Sequence, residues 1–201
     1  FYLLEKLNYY DRYVKDGHYA NDTLFTHFGE QFRQISGMTW GIVGLGAIGR
    51  RVADIAKAFG ANVIYYSTSG NNNQEGYTRV DFDTLLSTSD IISVHAPLNE
   101  NTENLMNRDA FQKMKPSAIF LNVGRGAIVN ENDLAEALNQ NKIAAAGLDV
   151  LCEEPMNPEC PLLPIKDSKR LLITPHIAWA SIEARTKLME LVHKNITEFF
   201  A

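Results

Sequence analysis

The sequence predicts an α/β fold built on a doubly wound parallel sheet, and three observations predict it. Short apolar runs of buried-strand type alternate along the chain with stretches of helical period. The first run passes directly into a glycine-rich turn, Gly44-x-Gly46-x-x-Gly49, that opens a helix. At 201 residues with 45% hydrophobic content, the chain has enough apolar surface for a buried core. Strand and helix in alternation imply right-handed crossovers, hence parallel strands with helices on both faces.

Leu3, Leu4, Leu7, Tyr10 and Val14 recur at helical spacing, and Gly17 supplies the stop. No capping residue precedes them, so the chain is expected to begin inside a helix and to be a piece of a longer polypeptide. Residues 18–37 show no period and mix Tyr19, Phe25, Phe28 and Phe32 with polar residues. So long an irregular segment is either an arm packing on a partner or a surface loop. Thr39 to Val43 read as a strand, and Ala47 to Phe59 as a helix with Val52, Ile55, Ala56 and Phe59 on one side. Asn62 to Tyr66 form the second strand. Residues 67–80, rich in Ser, Thr, Gly and Asn, read as a flexible loop. Asp81 opens a short helix to Ser87, Ile91 to Val94 form a strand, and Asn107 caps a helix that Pro116 stops. Ala118 to Asn122 form a strand, Gly124-Arg125-Gly126 a turn, and Asn130 caps a helix over 131–140. Ile143 to Leu148 and Leu171 to Ile173 are strands on either side of a Pro-rich loop, and Ser181 caps the final helix.

Composition removes several classes of function. The net charge of −5 with scattered basic residues argues against a nucleic-acid surface. No apolar run approaches the roughly 20 residues of a membrane span, so no membrane role is expected. The first residues lack the basic start of a secretory leader. Cys152 and Cys160 share one loop and make no disulfide framework, so a cytoplasmic location is the expectation. His18, His27 and His193 have no ligand spacing, so no metal is expected.

In its strand-to-helix setting the glycine turn reads as a dinucleotide-binding fingerprint of Rossmann type, the alternative being an ordinary structural turn. Gly44 allows the tight turn, Gly46 lets a pyrophosphate approach the backbone, and Gly49 lets helix and strand pack closely. The amides at the helix start offer the phosphates a partial positive charge.

Taken together, the motifs resemble the coenzyme-binding domain of the D-isomer-specific 2-hydroxyacid dehydrogenases over essentially the whole chain. The matching residues are Gly44 to Gly49, Val94-His95-Ala96-Pro97-Leu98, Asn122-Val123-Gly124-Arg125-Gly126, Gly147-Leu148-Asp149-Val150 with Glu154-Pro155, and Thr174-Pro175-His176-Ile177. Trp179, after His176, is most similar to the glycerate dehydrogenase (hydroxypyruvate reductase) branch. The resemblance implies interdomain helices at 1–17 and 181–201, a dimerisation arm at 18–37, and a Rossmann-type NAD(P)-binding domain at 38–180. Most of a second, substrate-binding domain is then absent, so this chain alone is expected to bind dinucleotide and to turn over substrate poorly. It also implies a homodimer that exchanges hydride between NAD(P)H and a small 2-oxo acid, hydroxypyruvate to D-glycerate first among them. The alternatives are a D-lactate-type dehydrogenase, or an NAD(H)-binding regulatory, corepressor-like module without turnover.

By this resemblance the catalytic residues are Arg125, Glu154 and His176. Their chemistry suits the role. A guanidinium grips a carboxylate with its planar fork. An imidazole passes a proton near neutral pH, and a carboxylate holds its other nitrogen and sets the tautomer. The plainer readings are a loop arginine bonding backbone carbonyls, a structural histidine, and a solvated Glu153 or Glu154. The cofactor-binding residues implied are Gly44, Gly46, Ala47, Ile48, Gly49, Ser67, His95, Ala96, Pro97, Thr102, Asn122, Val123, Gly124, Arg125, Asp149, His176 and Ala178. For Asp149 the plainer reading is a cap-like loop aspartate. Ser67 departs from the pattern, because it stands where an NAD site places a carboxylate for the ribose. With no Arg or Lys along the chain from there until Arg79, a clamp for NADP is also missing, which favours NAD while leaving NADP open.

Overall fold

The computed structural model describes residues 1–200. Its strands are β1 (Thr39–Val43), β2 (Asn62–Tyr66), β3 (Thr78–Arg79), β4 (Ile91–Val94), β5 (Ile119–Asn122), β6 (Ala145–Leu148) and β7 (Leu171–Ile173). Its helices are α1 (Leu7–Lys15), α2 (Ala47–Ala58), α3 (Phe82–Thr88), α4 (Arg108–Lys113), α5 (Glu131–Asn139) and α6 (Ile182–Phe200). The strands form one seven-stranded parallel sheet in the order β3-β2-β1-β4-β5-β6-β7. The chain runs outward from β1 to β3 and then crosses back to β4, so the strand order reverses between β1 and β4. The expected doubly wound α/β architecture is therefore present.

On one face Leu85 and Leu86 of α3, Phe111 of α4, and Leu134 and Leu138 of α5 bury against Val43, Ile92, Val94, Phe120 and Ala146. On the other, Ala53 and Ala56 of α2 lie on Ile42, Val63 and Tyr65, while Leu3 covers Ile119 and Ala145. Asp81, Asn107 and Asn130 cap α3, α4 and α5, each accepting from a backbone N–H three residues on.

Several expectations need correction. Leu3 and Leu4 are not on the first helix, because α1 starts at Leu7 after Lys6 takes a left-handed conformation. Leu3 instead plugs the sheet at 4% exposure. In α2 the buried side is Gly49, Ala53 and Ala56, whereas Ile55 and Phe59 are half-exposed. At its start the helix lies too close to the glycine turn for any side chain: a Cβ on Gly49 would lie 2.3 Å from the Gly44 carbonyl oxygen. The loop at 67–80 contains an unforeseen edge strand, β3, paired with β2. The strand expected from Ile143 begins at Ala145, although Ile143 itself is fully buried. The final helix, α6, forms after Ser181 but buries none of its residues among those described. Among the described residues no helix is long and apolar enough to cross a membrane.

Candidate active site

Register alone gathers the motif residues along one edge. Tyr66, Val43, Val94, Asn122, Leu148 and Ile173 are successive partners across six adjacent strands. The next residue of each strand therefore falls in a second row: Ser67, Gly44, His95, Val123, Asp149 and Thr174. Backbone bonds extend the ladder into that row, with Gly44, His95, Asp149 and Thr174 donating to the neighbouring strand at 2.8–3.0 Å. Ligands bind an open parallel sheet at this edge and at the reversal of strand order.

At that reversal lies the glycine turn. Gly44 adopts φ +90°, and a Cβ there would meet the Ala96 backbone at 2.8 Å. Gly46 differs, since a Cβ there would enter open space. No side chain caps α2 at Gly46, unlike α3, α4 and α5, so the amides of Ala47 and Ile48 at its exposed first turn are left for an anion. An open cradle beside an uncapped helix start fits the pyrophosphate of a dinucleotide.

Ser67, at the β2 end of the row, is 3% exposed. Its Oγ accepts from the Asn72 amide at 3.1 Å, and Gly70 closes a tight turn back to the Ser67 carbonyl. Asn72 Nδ2 donates to Leu45 O at 2.8 Å, inside the glycine turn. Gln74 Nε2 donates to Asn72 Oδ1 at 2.7 Å, and its Oε1 accepts from Arg50 on α2 at 3.0 Å. Residues 68–74 are thus a strap tied across the turn rather than a free loop. Asn72, Gln74 and Arg50 carried no motif signal, because three elements had to meet before they became neighbours.

His95 lies beside the turn, its Nε2 3.0 Å from Ser93 Oγ, which also accepts from Trp40 Nε1 at 2.9 Å. Its Nδ1 is buried and has no partner among the described residues. Burial pushes the imidazole down to about 4, so it is neutral at physiological pH. Ala96 is buried, and Pro97 O accepts from Thr102 Oγ1 at 2.7 Å, so Thr102, itself fully buried, braces this loop from within.

Asn122 is fully buried and shapes the arginine turn: its Oδ1 accepts from Gly124 N at 3.0 Å and its Nδ2 donates to Arg125 O at 2.9 Å. Val123 is partly exposed, and Gly126 lies against the Leu151 backbone, where a Cβ would sit 1.9 Å from Leu151 O. The arginine turn thus abuts the loop that carries Glu154. Arg125 is exposed and donates to Gly124 O at 2.8 Å, with no bond to Glu154 or His176. In this state it makes the backbone contact of the plainer reading. Among the described residues it forms no ion pair, so its charge is available.

Glu154 and His176 are in direct contact. His176 Nδ1 lies 2.6 Å from Glu154 Oε2, while Glu154 Oε1 accepts from Leu151 N at 2.8 Å. The His176 bond holds the Glu154 carboxyl below its usual range. An ionised carboxylate only accepts, so Nδ1 carries the proton and Nε2 is left for a reacting atom. Cys152 N donates to Glu131 Oε1 at 2.7 Å, anchoring the Glu154 loop to the start of α5. His176 itself sits at φ +53°, a left-handed conformation that is unfavourable for a non-glycine residue. Asp149 holds it there. Its backbone oxygen accepts from His176 N at 2.9 Å, and its carboxylate accepts from Thr174 Oγ1 at 2.6 Å, Ile177 N at 2.9 Å and Ala178 N at 2.8 Å. Burial would raise the Asp149 carboxyl, but these donors and the nearby His176 outweigh it and hold it below the usual range. Asp149 therefore shapes the 174–178 loop as a cap would.

The pair stands at the rim of a cavity of about 800 Å³ walled largely by apolar residues including Leu151, Met156, Leu162 and Ile165. No group of three or more His, Cys, Asp or Glu side chains forms a metal-binding cluster among the described residues.

Comparison with known proteins places this geometry. Residues 1–178 match the model of the D-isomer specific 2-hydroxyacid dehydrogenase NAD binding domain. A hydroxypyruvate reductase of Blautia hydrogenotrophica is 37% identical over 96% of this chain and 60% of its own length. A glyoxylate reductase of Thermococcus litoralis is 44% identical over 82% of this chain and 50% of its own. The crystal structure of D-lactate dehydrogenase from Aquifex aeolicus, complexed with NAD and lactic acid, matches with a TM-score of 0.89 at 27% identity, covering 99% of this chain and 62% of that one. The chain thus spans between half and about three fifths of these relatives.

Proposed function

This chain belongs to the D-isomer specific 2-hydroxyacid dehydrogenase family, and from that premise we propose that it provides the nicotinamide-binding half of a reductase converting a small 2-oxo acid, hydroxypyruvate foremost, to its D-2-hydroxy acid. One observation carries the reading: an imidazole and a carboxylate 2.6 Å apart stand at the carboxyl edge of the sheet, one loop from an unpaired guanidinium.

The guanidinium of Arg125 and the His176 imidazole start from loops after β5 and β7, about 10 Å apart across two strand spacings, within reach of a long side chain. Arg125 exchanges its backbone contact for the substrate carboxylate, where a bidentate grip outweighs a single carbonyl bond. A reduced nicotinamide held there would supply the hydride for the substrate carbonyl carbon. His176 donates the Nε2 proton to the carbonyl oxygen, and Glu154 stabilises the protonated ring and keeps Nε2 turned toward the substrate. In the reverse direction the same nitrogen takes the proton back. Gly44, Gly46, Ala47, Ile48, Gly49, His95, Ala96, Pro97, Asn122, Val123, Gly124 and Ala178 are the residues that would hold the dinucleotide, with Asp149 and Thr102 bracing their loops.

Hydroxypyruvate is favoured by Trp179 after His176 and by the likeness to a hydroxypyruvate reductase. A D-lactate-type activity is the second reading, on the likeness to the NAD- and lactate-bound dehydrogenase. We assign residues 1–17 and 181–201 as interdomain segments, Ala201 lying outside the described residues. We assign 18–37 as a dimerisation arm, in keeping with Phe25 at 90% and Phe28 at 81% exposure. We propose a cytoplasmic setting on the sequence alone, because Cys152 and Cys160 make no disulfide framework. The test is a panel of hydroxypyruvate, glyoxylate and pyruvate with NADH and NADPH, using the protein that carries this chain and its His176→Ala variant. Turnover highest on hydroxypyruvate, and abolished in the variant while dinucleotide binding persists, supports the proposal. No turnover on any 2-oxo acid, with association that depends on dinucleotide, would replace it with a regulatory module.

A further inference from the structure

We infer that the adenosine end of the cleft takes the 2′-phosphate of NADP(H), with Arg50 of α2 as its counter-ion and the strap after β2 as its floor. This rests on the dinucleotide reading above and goes beyond it by choosing the cofactor.

Selection for NAD requires a carboxylate at the end of β2, accepting from the ribose hydroxyl and repelling a phosphate. Residues 67–74 read Ser-Thr-Ser-Gly-Asn-Asn-Asn-Gln, without a charge of either sign. Ser67 does not replace the carboxylate, because it is buried and its Oγ is occupied by the Asn72 amide. What faces outward at the tight turn are Thr68, partly buried, and Ser69, exposed, which offer hydroxyl donors.

Read along the chain, a cation is missing here until Arg79, but the fold supplies one from the opposite side of the cleft. Arg50, in the first turns of α2, donates to Gln74 at 3.0 Å. Gln74 donates to Asn72 at 2.7 Å, and Asn72 N donates to Ser67 at 3.1 Å. Three hydrogen bonds therefore tie a guanidinium to the residue that ends β2, while Asn72 pins the same strap to the glycine turn through Leu45 O at 2.8 Å. Among the described residues Arg50 has no salt-bridge partner. Asp54, one helical turn on, would be its natural partner, but that carboxylate accepts from Tyr77 OH instead. The other charges nearby in sequence are Arg51, exposed on the same turn, and Glu75, exposed beyond the strap. An unpaired guanidinium bonded to a strap that carries only neutral hydroxyls and amides suits a phosphate dianion better than a ribose diol.

The test is titration of the protein carrying this chain with NADPH and NADH by nicotinamide fluorescence, and with adenosine 2′,5′-bisphosphate and 5′-AMP by calorimetry. NADPH should bind more tightly than NADH, and the bisphosphate more tightly than the monophosphate. Arg50→Gln should weaken NADPH and the bisphosphate roughly 10- to 100-fold, with NADH moving far less, while Arg50→Lys retains part of the preference. Thermal melts of both variants, expected to match the unmodified protein, establish that the loss is local. NADH binding as tightly as NADPH, or Arg50→Gln weakening both alike, would overturn the inference. Failure of the unmodified protein to bind either dinucleotide would overturn the functional reading as well.

Discussion

Replacing Asp149 with asparagine tests whether the His176 loop is held by a buried charge. The carboxylate is 5% exposed and accepts from Thr174 Oγ1 at 2.6 Å, Ile177 N at 2.9 Å and Ala178 N at 2.8 Å. An amide oxygen in place of Oδ1 keeps the first two bonds but weakens each by about 1 kcal/mol, as a charged acceptor becomes neutral. The amide nitrogen in place of Oδ2 faces the Ala178 N–H, donor against donor, leaving that amide unpaired at about 1–3 kcal/mol. Asp149→Asn is therefore expected to destabilise by about 3–5 kcal/mol in total, a fall in Tm of roughly 6–20 °C for a chain of this size. Because the same loop holds His176 in its left-handed conformation, turnover should fall roughly 100-fold through misplacement of the imidazole. The acid limb gives a second readout. The folded-state pKa of Asp149 lies below its unfolded value, so its contribution is present above the unfolded pKa and is lost as pH falls through the folded one. Thermal melts by circular dichroism from pH 7 to 3 should show that part of the acid loss missing in the variant. A Tm within about 2 °C of the unmodified protein at neutral pH, or parallel losses below about pH 4, would refute the argument.

The glycines of the turn separate structure from binding. Gly49→Ala places a Cβ 2.3 Å from Gly44 O and should destabilise by about 2 kcal/mol or more despite the better helix propensity of alanine, as chemical denaturation will show. Gly46→Ala meets open space, so its melt should be nearly unchanged while dinucleotide affinity drops roughly tenfold; unaltered affinity would remove Gly46 from the phosphate site. Glu154→Gln keeps an acceptor for Leu151 N but loses the charge beside His176. We expect turnover to fall by roughly 100-fold with dinucleotide affinity within about twofold, and a full-rate variant would dissolve the pair's catalytic role. His95, held near pKa 4 against an ordinary 6.5 by burial, contributes stability fully above pH 6.5 that is lost as pH falls toward 4. That amounts to about 3 kcal/mol, and urea midpoints of His95→Gln should show a flatter pH dependence over this interval, equal slopes counting against it.

Much of the fold was legible because local rules and tertiary outcome agree. Thr39–Val43, Asn62–Tyr66 and Leu171–Ile173 occupy the expected positions, and Asp81, Asn107 and Asn130 cap the helices they announce. Reading failed where packing distance outranked period. Ile55 and Phe59 follow the helical repeat of α2, yet the residues it buries are Gly49, Ala53 and Ala56 with Val52 partly buried beside them, so both remain half-exposed. Leu3 fits the repeat of α1 but gains more by covering the open sheet beside Ile119 and Ala145.

The amino-acid sequence by itself determined which residues stand at the carboxyl ends of the strands, because parallel strands separated by crossovers line up their ends whatever the loops do. Glu154 and His176 could be named from motifs, and register brought their loops together. Only the tertiary structure decided what each loop side chain does. Asp149 became the brace of His176, Ser67 went under a strap, and Arg50, seventeen residues before Ser67, came to bond Gln74 of that strap. The reason is physical: strand ends are placed by a ladder of backbone bonds that pattern reveals. The partners of a loop carboxylate or guanidinium are set by distances across elements, and no spacing along the chain encodes those.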